Sequence, residues 1–113
     1  MNKSNKIDLH ELYKIKETRE IRNTKVFNHI LDKCYKKIKE IAEHGGMSLY
    51  YKIPPIIIGY PIYDFNKCLE YIIKHLKKSG LYVGNLPYPN NNYIYISWKI
   101  EDISPNTKYK LLE

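Results

Sequence analysis

The stretch DFNKCLEYIIKHLKKSG, residues 64–80, decides how the rest of the chain is read. Phe65, Cys68, Leu69, Ile72, Ile73 and Leu76 recur at three- and four-residue spacing, which puts them in one apolar stripe on a helix. Asp64 stands where an N-cap belongs, and Gly80 where a helix stops. Lys67, Lys74, Lys77 and Lys78 fall away from the stripe or at the helix end. A stripe this continuous needs a second layer to cover it.

The flanking segments supply that layer. Upstream, MSLYYKI (47–53) alternates, with Leu49, Tyr51 and Ile53 on one side and Tyr50 and Lys52 on the other, the period of a strand. Downstream, LYV (81–83) and YIYISWK (93–99) read as two further strands of a hairpin joined by the turn-rich GNLPYPNNN. In the last strand Ile94, Ile96 and Trp98 share one face, and Tyr93, Tyr95, Ser97 and Lys99 the other. Earlier in the chain, residues 23–46 carry a second clear stripe (Val26, Phe27, Ile30, Leu31, Cys34, Ile38, Ile41), with Asn23 or Thr24 as cap and Gly45–Gly46 as stop. Residues 8–23 read as a separate, loosely packed helix with sparse apolar positions Leu9, Leu12, Tyr13 and Ile21. The order is α-α-β-α-β-β. The expected fold is α+β, with helices packed on one face of a small three-stranded antiparallel sheet. Residues 1–7 are expected to be a disordered N-terminus, 8–99 a single domain and 100–113 a loosely attached tail.

Between the first strand and the helix of 64–80 runs PPIIIGYPIY (54–63). Its prolines exclude a helix interior and a central strand. The simplest expectation is a core-covering connector in which Ile56, Ile57, Ile58 and Ile62 plug the gap between sheet edge and helix. The sharper one is an exposed docking patch for a partner, made of Ile56, Ile57, Ile58, Tyr60 and Ile62.

Composition sets further bounds. A chain of 113 residues with 43% hydrophobic and 27% charged residues has the balance of one globular domain, not of a disordered chain. The formal charge of +7 suggests an anionic partner. Yet only Arg19 and Arg22 supply the forked guanidinium suited to phosphates, and the other 17 basic residues are lysines. Lys, Ile, Asn and Tyr make up 56 of the 113 residues, all types with A/T-rich codons, so part of the charge reflects codon bias. The N-terminus lacks the apolar run of a secretory signal, and no stretch approaches 18 apolar residues. With Cys34 and Cys68 placed on apolar helix faces, a reducing intracellular compartment is expected, and neither secretion nor a membrane span.

The chemistry-bearing residues form no catalytic pattern. His10, His29, His44 and His75 stand in no metal or protease motif, and there is no glycine-rich phosphate loop. Cys68 and His75 are seven residues apart, about 10 Å along one helix, too far for a thiolate–imidazole pair. Asp64 reads as a cap rather than a base. No catalytic residue, metal or cofactor is expected, nor a small-molecule substrate.

Two resemblances apply. Strand, helix, then strand–loop–strand is similar to the back half of a winged helix, in which residues 64–80 would be the recognition helix and 84–92 the wing. The connector departs from that pattern, because a winged helix has a short helix there, and the wing contains no Lys or Arg. Residues 28–99 resemble a family of small uncharacterised proteins from nucleocytoplasmic large DNA viruses. The resemblance rests on Gly59, Pro61, Tyr63 and Asp64 before the helix and on Ile96, Ser97 and Trp98 in the closing strand. It implies an infected host cell, in the viral factory or the virion, and carries over no catalytic residue.

The expected function is therefore non-enzymatic: binding of another protein, self-association, or a structural role. The alternative is low-specificity nucleic-acid binding. It would use Lys67, Lys74, Lys77 and Lys78 on the helix, and Tyr50, Lys52, Tyr93, Tyr95 and Lys99 as an aromatic, basic face on the side of the sheet opposite the core.

Overall fold

The structure is a computed structural model that describes residues 6–112. Helix α1 spans Leu9–Glu43, strand β1 Ser48–Lys52, helix α2 Phe65–Lys78, strands β2 Tyr82–Asn85 and β3 Tyr93–Ser97, and helix α3 Pro105–Leu112. The three strands form one antiparallel sheet in the order β1-β3-β2. The fold is α+β, as the sequence pattern implies.

Sheet register explains which residues reach the core. Leu49, Ile96 and Val83 stand abreast across the three strands, and Tyr51 faces Ile94 one step along. These side chains point toward α1 and α2, because side chains alternate between the faces of a strand. They meet Val26, Phe27, Ile30, Leu31 and Cys34 of α1 and Cys68, Ile72 and Leu76 of α2, all buried. The stripes read from sequence are thus the two helical sides of one core.

Both long helices close as their sequences dictate. Asp64 accepts hydrogen bonds from the Asn66 and Lys67 amides at 2.9 and 3.2 Å. Past Glu43, the Gly45 amide donates to the Ala42 carbonyl and the Gly46 amide to that of Ile41. That is a Schellman closure, and it needs Gly45 at φ +89°. Gly80 ends α2 the same way at the same φ.

Three expectations meet a different outcome. The two N-terminal helices are one continuous α1, since residues 8–43 contain no glycine or proline. Thr24 does not cap a new helix. Its hydroxyl instead donates back to the Glu20 carbonyl at 2.9 Å, inside an unbroken turn. The connector 54–63 does not plug the core. Ile58 and Ile62 are 97% and 86% exposed, Ile56 is exposed as well, and of the four isoleucines only Ile57 packs on the core. The reason is Tyr63, which is buried against Phe27 and donates its hydroxyl hydrogen to the Pro54 carbonyl. That bond ties the two ends of the connector together, and the residues between turn outward at Gly59, φ +92°. No short helix lies in this segment.

The third difference concerns residues 100–113. Asp102 accepts from the buried Ser97 hydroxyl at 2.5 Å, Ile103 is buried, and the Ser104 hydroxyl accepts from the Thr107 amide to start α3. Thr107 lies so close to Gly80 that a Cβ there would approach its methyl to 3.1 Å. The chain is therefore anchored as far as Thr107. Of the expected disordered N-terminus, residues 1–5 lie outside the described residues, and Lys6 and Ile7 are exposed and without regular structure.

Candidate functional site

Three surfaces are built by these elements, and they face different ways. The first is the outer face of the sheet. Register places Tyr50 of β1 directly opposite Tyr95 of β3, and Tyr95 opposite Gly84 of β2. The Tyr50 and Tyr95 ring centres are 5.2 Å apart, and Tyr82 reaches Tyr95 from the other side at 6.1 Å. One tyrosine from each strand thus makes a continuous aromatic row. Lys52 is exposed beside it, opposite a half-buried Tyr93. Lys99 does not belong to this face. It lies past the end of β3, half-buried in the turn whose amides at Asp102 and Ile103 bond back to its carbonyl. Asp102 borders the row, accepting from the Tyr95 hydroxyl at 3.4 Å. Tyr82 is not among the residues named from sequence, although its alternation with the core residue Val83 puts it on this face.

The second surface is the solvent side of α2. Lys67, Lys74, Lys77 and Lys78 are all exposed there, opposite the buried Cys68, Ile72 and Leu76. Since α2 covers the inner face of the sheet, its outer side looks away from the tyrosine row. The helix lysines and the sheet tyrosines therefore lie on two sides of the molecule.

The third surface is the first half of α1 together with the connector at its root. From residue 6 to residue 22 every side chain is exposed, and the first buried residue of α1 is Val26. At 1.5 Å per residue, the first half of α1 is an arm about 25 Å long standing clear of the body. The arm accounts for overall dimensions of 69 × 29 × 26 Å. It carries Leu9, Leu12, Tyr13, Ile15 and Ile21, all exposed. At its root the connector leans on α1, with Tyr60 stacked on His29 at 4.9 Å. Beside this point Tyr71 of α2 donates its hydroxyl hydrogen to the Asn28 side chain. The exposed Ile56, Ile58 and Ile62 belong to this same connector, alongside Tyr60 and the half-buried Ile57.

The two core thiols are sealed from solvent. Cys34 and Cys68 are free and fully buried, and burial pushes each thiol up from 9.0 to about 12. Tyr63 is raised from 10.0 to about 12, chiefly by burial and then by the nearby Cys68. A thiol held that high carries almost no thiolate at neutral pH, and the thiolate is the nucleophile. Among the described residues no three His, Cys, Asp or Glu side chains converge to hold a metal ion. Among those residues, too, no helix is long and apolar enough to cross a membrane.

The match to known families covers residues 7–77. This chain belongs to a family of unknown function (DUF5759). The range matched by DUF5759 begins two residues before α1 and runs to the last turn of α2. It takes in the arm, β1, the connector and Lys67, Lys74 and Lys77 of α2, and leaves Lys78, β2, β3 and α3 outside. No curated protein and no solved structure matches the chain.

Proposed function

We propose that this DUF5759 protein is a non-enzymatic docking protein, binding another protein chain through the α1 arm and the connector at its root. The observation that carries this is the arm itself. Seventeen consecutive helical residues, Leu9–Lys25, stand clear of the body and expose five large apolar side chains. An isolated helix of that length is marginal in water, and helices in proteins are held mainly by packing of an apolar face. Leu9, Leu12 and Tyr13 share one face of the arm, and an apolar cluster left uncovered on a small protein marks an interaction site. The sequence resemblance to small proteins of large DNA viruses supports a setting in a viral factory or particle.

The test is site-specific photo-crosslinking in cells that make the protein. A photoreactive amino acid at Leu12 or Ile58 is expected to give a discrete adduct, lost when Tyr13→Asp is added. The same group at the exposed Lys39 is expected to give none. Equal labelling at all three positions would remove the docking reading.

A second reading has its own observation. The row Tyr50–Tyr95–Tyr82, with Lys52 beside it, is a sheet face on which single-stranded bases could stack, and stacking on aromatic rings is worth about 1–3 kcal/mol per base. Asp102 at the edge of the row opposes phosphate there, and the α2 lysines face elsewhere, so this reading ranks second. It requires that a single-stranded oligonucleotide quench tyrosine fluorescence at low salt, and that Tyr50→Ser with Tyr95→Ser abolish the effect. Absence of binding at low salt rules it out.

A further inference from the structure

We infer that the partner of the arm is a second copy of this chain, and that two arms pair antiparallel about a two-fold axis near residue 18. This rests on the docking reading above and names its occupant. Eighteen residues are five turns of helix at 3.6 per turn, so residues 18 apart share a face. Leu9, Leu12 and Tyr13 of the arm therefore continue the line of Phe27, Ile30 and Leu31, which are buried in the core. The arm repeats the core-facing stripe of its own helix, with nothing from its own body to cover it.

The repeat is broken at three places. Lys16, Glu20 and Asn23 occupy the positions equivalent to Cys34, Ile38 and Ile41. Lys16 and Glu20 are of opposite charge and lie equally far from residue 18, about 3 Å on either side along the axis. Within one helix they make only a 4.0 Å contact, both side chains more than half exposed. An antiparallel copy places Lys16 of each chain against Glu20 of the other, so both interruptions are matched twice over. A parallel copy would set lysine on lysine and glutamate on glutamate. It would also drive the two bodies into the same space, because each body sits on this same face of α1 from Val26 onward. In the antiparallel arrangement the tip residue Leu9, about 14 Å from the axis, arrives level with Phe27 of the other copy. Phe27 itself is buried against Tyr63 and Tyr71, so the two helices cross at an angle that carries each tip past the edge of the other body. An isologous pairing of this kind is the commonest form of homo-oligomer. Glu17 and Arg19 flank the seam in water and meet their own counterparts across the axis, so the pair is weak.

Light scattering coupled to size exclusion, over about 10 to 200 µM, tests this. The mass is expected to rise with concentration from 13.5 kDa toward twice that value. Lys16→Glu alone, or Glu20→Lys alone, puts like charges face to face and should raise the dissociation constant about tenfold or more. The combined variant restores the opposite-charge match and should restore the dimer. Circular dichroism of each variant confirms that the exposed substitutions leave the helix intact. A wild-type chain that stays monomeric throughout, single variants that dimerise as well as wild type, or a double variant that stays dissociated each overturn the pairing. If the wild type is monomeric while Leu12 still crosslinks to another protein, self-pairing fails and the docking reading stands. If Leu12 and Lys39 also label alike, both fail.

Discussion

Moving from about pH 8 to about pH 10 should cost the folded protein roughly 3 kcal/mol of stability, mainly through two thiols. Cys34 and Cys68 are each 0% exposed, and burial raises both from 9.0 to about 12. In the unfolded chain they ionise normally. Between 9.0 and about 12 the unfolded state therefore binds fewer protons than the folded state, so stability falls as pH rises. The contribution is fully present below pH 9 and is lost progressively up to about pH 12. At pH 10 each unfolded thiol is about tenfold ionised, which is worth about 1.4 kcal/mol per group. Tyr63, raised from 10.0 to about 12, adds a few tenths in the same direction. With a urea slope of about 1–3 kcal/mol per molar, the unfolding midpoint should drop by about 1–3 M between the two pH values. The variant Cys34→Ala/Cys68→Ala starts from lower stability because two core side chains are shortened, but most of its pH dependence should be gone. If that variant loses as much stability with pH as the wild type, the thiols are not sealed in the core, and the argument against thiolate chemistry goes with it.

Other outcomes follow from burial and hydrogen bonding. Ile72→Ala, in a fully buried position, should destabilise by about 2–5 kcal/mol in urea unfolding, whereas Ile58→Ala should stay within about 0.5 kcal/mol. Asp102→Ala leaves the buried Ser97 hydroxyl without its acceptor, so a loss of about 1–3 kcal/mol is expected, with faster amide exchange in residues 98–107. In a deletion of residues 1–22 the described residues removed, 6–22, are all exposed, so the thermal midpoint of the remainder at a concentration too low for pairing should move by no more than a few degrees, measured by circular dichroism. The same deletion should abolish any self-association.

Much of the fold is written in local pattern. The stripes of 26–41 and 65–76, the alternation of 47–53 and 93–97, and the paired glycines after α1 each act through a single element, so each is readable without its neighbours. What could not be read depends on contacts between distant residues. The fate of Ile58 is set by Tyr63 reaching back to Pro54 across the connector, and nothing in the run PPIII announces that closure. The place of Tyr93 and Tyr95 opposite the core is legible in the alternation of the strand, whereas Lys99 leaves that face because β3 ends at Ser97 and the chain turns there. The break expected near residue 23 failed for a local reason: Asn23 and Thr24 are good caps, but a cap forms only where the helix has cause to stop, and no glycine or proline supplies one.

The unbroken α1 changes what the arm means. Read as a separate helix, residues 8–23 have sparse apolar positions and look like a weak element lying on the body. Joined to residues 24–43, they cannot fold back, because a straight helix carries them away from the sheet. Their apolar residues then have no destination within the chain. The core is complete without them: every strand contributes to it, both long helices bury their stripes, and no buried side-chain polar atom among the described residues lacks a partner. Leu9, Leu12 and Tyr13 on the line of Phe27, Ile30 and Leu31 are thus surplus to folding the monomer. If they contribute to any stability, it is that of a complex. The polar interruptions point the same way. A stripe fully apolar along 35 residues would aggregate without selectivity, whereas Lys16 and Glu20 in its middle admit only a partner that answers both charges in order.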